Sequence, residues 1–218
     1  MIWLCLQPEP LTPAQEQQLI PLLEPDRLAR LSGYRFLRSR HESILAGALL
    51  RYGWAQEFGV MLPPITLQPQ GKPVFVGTGL PHFNLSHCRG AAVCAIGADP
   101  VGVDVQPISA YSQRLRRVLT PEERQWIEAE DTDTRFTAVW TRKEAYGKAL
   151  GCGIGYHLSE VSVLNAQIGA LQLSTQRFGD LYLSICAKEA LGLSVVQLEQ
   201  LCAFAEKYSG RETTGEES

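Results

Sequence analysis

The 218-residue sequence has no basic excess: 20 lysines and arginines stand against 23 acids, for a formal charge of −3. Neutralising nucleic-acid phosphates takes a clear surplus of Lys and Arg, which counts against a general nucleic-acid binder. Long hydrophobic runs are missing too. The opening MIWLCLQPEP is apolar for only a few residues, lacks a basic flank and breaks at Pro8, too short for a signal segment or a membrane span. The cysteines, at 5, 88, 94, 152, 186 and 202, show neither CxxC pairing nor zinc-ligand spacing. They read as reduced, mostly buried thiols of a cytoplasmic protein. There is no GxSxG, no Walker loop and no GxGxxG, so the familiar hydrolase and nucleotide folds lack support. No strict repeat is visible, which excludes a solenoid.

What is present is 45% hydrophobic residues in short patterned runs, ordinary for a globular protein of one large or two small domains. Residues 2–6 (IWLCL) suit a strand stopped by Pro8 and Pro10. Thr12 and Pro13 make an N-cap and first-turn pair, opening a helix to about Leu23. A basic, Gly-containing turn around Arg27 to Tyr34 leads to a longer helix, about Arg38 to Phe58. Strands are expected at 65–67, within 71–76, and at 82–86, 91–97 and 101–106, the last three joined as antiparallel hairpins. In 101–106, period-two alternation puts Val101, Val103 and Val105 on one face and Asp104 and Gln106 on the other. Thr120-Pro121-Glu122-Glu123 has the form of a capped helix start, with the helix running to about Ala129. A polar loop follows at 130–134. The stretch FTAVWTRKEAYGKALG, 136–151, then has helical apolar spacing, with Gly151 as its stop. Strands near 160–164, 170–174 and 181–187 and an unassigned element at 195–207 precede a polar tail, 209–218, expected to be disordered. Both halves set helix before antiparallel strands, a loose internal duplication.

Three polar clusters interrupt this apolar frame. On the 136–151 helix, Trp140, Glu144 and Lys148 stack at i, i+4 spacing with Lys143 beside them. Taken alone, that is an exposed salt-bridged face. The other clusters, FNLSHC (83–88) and GVDVQP (102–107), sit inside strand-like sequence. Asp104 and Glu144 are hard oxygen donors and Gln106 offers a neutral carbonyl. Magnesium takes one or two carboxylates and fills its shell with water and substrate phosphates, so this set suits it. His87, Lys143 and Lys148 are candidates for the remaining phosphate charge, which favours pyrophosphate chemistry over redox or acyl hydrolysis. Ser86 and His87 are strand neighbours on opposite faces and do not form a Ser–His couple. Arg30, Arg38, Arg40 and Arg51, spread near one helix entrance, are able to clamp a phosphate.

In order along the chain, GKP (71–73), FNLSH (83–87), GVDV (102–105) and WTRKEAYGK (140–148) resemble motifs of the surfactin-type 4′-phosphopantetheinyl transferases. The basic stretch RLSGYRFLRSRHESILAGALLR (30–51) resembles that family's N-terminal helix region. The family moves the phosphopantetheine arm of coenzyme A to a serine of an acyl, polyketide or peptidyl carrier protein. The resemblance implies an α+β fold of two pseudo-two-fold-related halves with coenzyme A in the cleft between them. Residues 1–101 would bind coenzyme A, and 102–208 would carry magnesium and the catalytic helix. By the same resemblance Asp104 and Glu144 ligate magnesium, with Gln106 at a third position where many relatives have glutamate. His87 contacts phosphate, Lys143 and Lys148 bind the pyrophosphate, and Ser86 lies against the cofactor. Arg30 meets the 3′-phosphate, while Lys72 and Pro73 line the adenine side. Catalysis falls to Glu144, Lys148 and His87, with Glu144 the first candidate for the base and Glu123 a second. The leaving group is 3′,5′-adenosine bisphosphate. The expected protein is a cytoplasmic monomer with no nucleic-acid or membrane partner.

Two other classes stay open on the residues: a different magnesium-dependent pyrophosphate-cleaving enzyme, and a non-catalytic nucleotide or carrier-protein binding module, which Gln106 favours. For docking a carrier, Arg114, Arg116 and Arg117 beside Val118 and Leu119 form the candidate basic and apolar surface.

Overall fold

A computed structural model of the chain describes residues 1–59, 61–152 and 156–214. Alternation in the first strand sets its architecture. In β1 (Ile2–Gln7), Ile2 and Leu4 point one way, Trp3 and Cys5 the other, and all four are buried. A strand apolar on both faces needs cover on both.

Helices cover one face. α1 (Pro13–Leu19) opens with the Thr12–Gln15 capping box and continues as a 3-10 turn to Leu22. α2 (Pro25–Arg30) is a short helix where the sequence suggests only a turn. α3 (Leu37–Phe58) lies along the sheet, burying Ile44, Leu45, Ala48 and Leu49 against Trp3, Cys94 and Phe83. β2 (Ile65–Leu67) and β3 (Pro73–Phe75) make a small hairpin of their own. β4 (His82–Cys88) and β5 (Gly90–Gly97) form the expected antiparallel hairpin, and β5 pairs antiparallel with β1.

The third strand does not extend that hairpin. β6 (Gly102–Pro107) crosses to a second sheet instead, and its valine face closes the other side of the first. Val101, Val103 and Val105 are fully buried against Ile2, Leu4, Val93 and Leu183. α4 (Pro121–Ala129) carries the Thr120–Glu123 capping box read from the sequence. α5 (Thr132–Leu150) starts inside the expected loop, because Asp131 turns the chain in a left-handed conformation, φ 42°. It ends as expected at Gly151, φ 72°, where Cys152 N–H donates to the Gly147 carbonyl and Gly151 N–H to that of Lys148, both at 3.2 Å. β7 (Gln167–Ile168), β8 (Leu171–Phe178) and β9 (Leu181–Ala187) complete the second sheet in the order β6-β9-β8-β7.

The strand expected at 160–164 does not form. Its backbone groups are taken by charged side chains: Val161 O accepts from Lys143, Val163 O from Arg142, and Val163 N–H donates to Glu123. β10 (Leu193–Val195) then returns to the first sheet, parallel to β1, in the order β10-β1-β5-β4. α6 (Leu198–Thr214) packs against α1 and α3 and runs past residue 208, where the sequence places the tail; 215–218 lie outside the described residues. The architecture is α+β, layered helix–sheet–sheet–helix, with α3 outside the first sheet and α5 outside the second. No helix among the described residues is long and apolar enough to cross a membrane.

α5 approaches β6 closely because position 102 is glycine. A Cβ there would overlap the Ala145 carbonyl oxygen and the Ala149 backbone nitrogen. Gly102→Ala is expected to cost about 3 kcal/mol or more, read from the denaturant midpoint, since rigid backbone and not a pliable side chain must move.

Candidate active site

β4 and β6 are edge strands of different sheets that meet without sharing a ladder. Side chains replace the ladder. Asn84 Oδ1 accepts from Val103 N–H (2.9 Å) and Ser86 Oγ from Val105 N–H (3.3 Å). A buried N–H left unpaired costs about 1–3 kcal/mol, so each of these bonds matters to the seam. Ser86 also donates to Asp104 Oδ1 at 2.8 Å. From α5, Lys148 Nζ reaches the same oxygen at 2.7 Å, the Val103 carbonyl at 3.1 Å and Ser86 Oγ at 3.2 Å.

Asp104 is 1% exposed, the opposite of a surface-facing strand residue, and its Oδ2 has no hydrogen-bond partner among the described residues. Glu144, one turn before Lys148, is half-buried. Burial first, then the charge of Asp104, push its carboxyl up to about 7, against the pull of Lys148. Gln106 is half-buried and follows Asp104 on the same face of β6.

His87 leaves β4 on the other side, toward α3, with Nδ1 3.8 Å from Glu42 Oε2, beyond hydrogen-bond range. Burial, then the positive charges of Arg27 and Lys148, push it down to about 4. The ring is therefore neutral at pH 7 and offers a hydrogen bond, not a charge.

Other expected residues lie elsewhere. Lys143 is fully buried on the far side of α5, where Nζ meets Glu123 Oε2 at 2.9 Å, Val161 O at 2.6 Å and Leu158 O. Glu123 also accepts from Thr120 N–H (2.8 Å) and Val163 N–H (2.7 Å). Lys143 is thus spent inside the fold and not available to a pyrophosphate, and Glu123 is not available as a base. Lys72 donates to the carbonyls of Lys148 and Ala149, where an ammonium meets the negative end of α5. It ties the β2–β3 hairpin to the helix bearing Glu144. Pro73 opens β3, half-buried, and Arg30 is exposed at the end of α2. Of the Arg114–Leu119 surface only the basic part is outside: Val118 and Leu119 are core residues, and Arg116 faces Glu128 at 3.4 Å. Asn84 was not singled out from the sequence. Its signal is the pair of polar residues two apart, Asn84 and Ser86, on one face of an otherwise apolar strand.

Residues 100–192 match the 4′-phosphopantetheinyl transferase superfamily. The 4′-phosphopantetheinyl transferase HetI of Nostoc is 31% identical over 170 residues, 72% of this chain and 69% of that protein. That of Bacillus pumilus, psf-1, is 29% identical over 165 residues, 73% of this chain and 71% of its own. Sfp of Bacillus subtilis is 24% identical over 170 residues, 75% and 76% of the two chains. The chain belongs to this family. It is a surfactin-type 4′-phosphopantetheinyl transferase, and its seam between sheets joins FNLSH, GVDV and KEAYGK in space.

In the transferase, Lys143→Met leaves the Glu123 carboxylate buried and unpaired. It is expected to cost about 3–5 kcal/mol, read by chemical denaturation, with part recovered when Glu123→Gln is added. A raised KM for coenzyme A at unchanged stability would return Lys143 to the ligand site.

The raised carboxyl of Glu144 sets a pH dependence. A carboxyl with a folded-state pKa above its unfolded value stabilises the fold while protonated. Its contribution is present at low pH and is lost as pH climbs from 4.5 through about 7. In metal-free protein, Glu144→Gln should flatten the fall in denaturant midpoint across that window. An unchanged slope would mean that Glu144 titrates normally.

Proposed function

We propose that the protein transfers the 4′-phosphopantetheine arm of coenzyme A to a serine of an apo acyl, polyketide or peptidyl carrier protein, with magnesium, releasing 3′,5′-adenosine bisphosphate. The observation that carries this reading is the cluster of Ser86, Asp104, Lys148 and Glu144 at the seam of the two sheets.

The donor set fits magnesium. Asp104 Oδ2 is buried without a partner among the described residues, and burial, then the Asp104 charge, raise the pKa of the Glu144 carboxyl to about 7. A hard divalent cation relieves repulsion between two such carboxylates. Among the described residues no group of three or more His, Cys, Asp or Glu is placed for a metal. The protein's share of the shell would therefore be Asp104 and Glu144 with the Gln106 amide, and water and substrate oxygens would supply the rest. When bound, the ion supplies positive charge against the pyrophosphate.

The chain's own residues do the remainder. The carrier serine oxygen bonds to the β-phosphorus of coenzyme A, the bond from that phosphorus to the bridging oxygen breaks, and its electron pair leaves with the adenosine bisphosphate. The serine proton goes to Glu144, directly or through water. Lys148 is oriented by Asp104, Ser86 and the Val103 carbonyl before substrate arrives, so its charge faces the reacting phosphates without reorganisation. His87, neutral, adds a hydrogen bond to a phosphate oxygen.

Mass spectrometry of a panel of apo carriers incubated with coenzyme A and magnesium tests the reading. Transfer adds a phosphopantetheine mass to the carrier; a hydrolase consumes coenzyme A without doing so, and a binding module does neither. Asp104→Ala and Glu144→Ala are each expected to abolish transfer while keeping the fold. Near-normal turnover by either variant at saturating magnesium would remove the metal assignment.

A further inference from the structure

We propose that Thr141 and Ser184 are positioning residues for the transfer reaction: the bond between their buried hydroxyls fixes the rotation of α5 at which Glu144 and Lys148 face Asp104. This rests on the roles given to Glu144 and Lys148 above. Neither hydroxyl can touch a substrate, since both residues are 0% exposed. At 3.6 residues per turn Thr141 lies about 20° from Lys148 around α5 and about 60° from Glu144, so the three share one stripe. On the second sheet, Ser184 of β9 stands opposite Asp104 of β6 in the ladder, and their side chains emerge together on the face that α5 covers.

α5 is thus tied to two neighbouring residues of one sheet. Lys148 Nζ meets Asp104 Oδ1 at 2.7 Å, and Thr141 Oγ1 meets Ser184 Oγ at 2.8 Å. Glu144 falls between the two ties. The lysine tie runs through a long, flexible side chain and leaves the helix free to turn. The hydroxyl tie, two turns away and made by two of the shortest polar side chains, does not.

Counting protons gives these bonds a direction. Arg142 Nη1 donates to Thr175 Oγ1 at 3.1 Å, the Thr175 and Ser184 hydroxyls lie 2.9 Å apart, and Thr141 Oγ1 donates to the Ala138 carbonyl at 3.1 Å. A hydroxyl has one proton to give. With that of Thr141 spent on Ala138, the Ser184 proton goes to Thr141 and the Thr175 proton to Ser184. The chain runs one way, from guanidinium through three hydroxyls to a helix carbonyl, and every proton in it is used. Turning α5 would break it and strand hydroxyls in a dry interior. Packing alone would accept an apolar residue at 141, as it does at Val139 and Ala145 of the same helix. What the hydroxyl adds is a fixed rotation, and the residues that need one are Glu144 and Lys148.

Thr141→Val, Ser184→Ala and Thr141→Ser test the proposal by steady-state transfer at saturating magnesium, varying apo carrier and then coenzyme A, at a temperature where each protein is folded. Thr141→Val keeps the shape of the side chain and removes its hydroxyl; Ser184→Ala breaks the same bond from the other side. Each is expected to lower kcat about tenfold with both KM values held, a loss of alignment in the reacting complex and not of binding. Thr141→Ser puts the hydroxyl back and should rescue kcat. In the absence of carrier, magnesium should raise the melting temperature of each protein, with a midpoint concentration several-fold higher in Thr141→Val and Ser184→Ala than in wild type. A lowered melting temperature with unchanged kcat in both variants would make the bond merely structural and overturn the proposal. So would a raised KM for either substrate at unchanged kcat, an unmoved magnesium midpoint, or loss of the fold in both. Wild-type protein that transfers to no carrier would instead overturn the activity, and this role with it.

Discussion

Two sheet edges meeting in the interior are the constraint on which this fold depends. An edge strand presents N–H and C=O groups that must be paired, solvated or covered. β4 and β6 meet that demand with Asn84 and Ser86, which reach across to Val103 and Val105. A backbone ladder would close the seam and do nothing more. A side-chain seam can branch, and here it does: the serine that satisfies Val105 also holds Asp104, and Asp104 holds Lys148. The bonds that join the halves are the bonds that orient the polar cluster.

α5 must present Glu144 and Lys148 to that seam in one fixed rotation, and its other basic residues supply the fixing. Lys143 and Lys148 are five positions apart, roughly 140° around the helix axis at 3.6 residues per turn. Lys143 is neutralised by Glu123, and Arg142 reaches the Val163 and Asn165 carbonyls and the Thr175 hydroxyl. Both thereby lock the helix to the irregular segment ending near Asn165. At its C-terminus Lys72 adds a hold from the other half. Basic residues on one short motif divide into an inward pair that is structural and an outward one that is poised.

What could be read from the sequence was local chemistry. The N-cap at Thr12, the capped helix start at Thr120, the Gly151 stop and the alternation of Val101, Val103 and Val105 are all properties of neighbours, and all appear as expected. Failures came where a distant group takes over a backbone. Val161 and Val163 look like a strand, yet Lys143, Arg142 and Glu123 consume the hydrogen bonds a strand would need. β6 looks like the third member of a hairpin, yet its valines fit the far face of the first sheet. Lys143 shows the same limit within the site: resemblance puts it on a motif, while only the packing of 158–163 around α5 shows which side of the helix is dry. Asp104 was legible as an acid inside an apolar run, but not that one of its oxygens has no partner among the described residues.

The return of β10 to the first sheet bears on how the molecule assembles. β1 lies between β5 and β10, so one neighbour of the first strand is synthesised long after it. Until 193–195 arrive, β1 is an apolar edge with an open row of backbone groups, and the Trp3–Leu201 side of the core lacks the cover of α6. The first sheet is therefore not completed by one contiguous stretch of chain. Sequence separations this long slow the search for native pairings and lengthen the time for which a sticky edge is exposed. During that interval the open edge of β1 is a template for pairing with another chain.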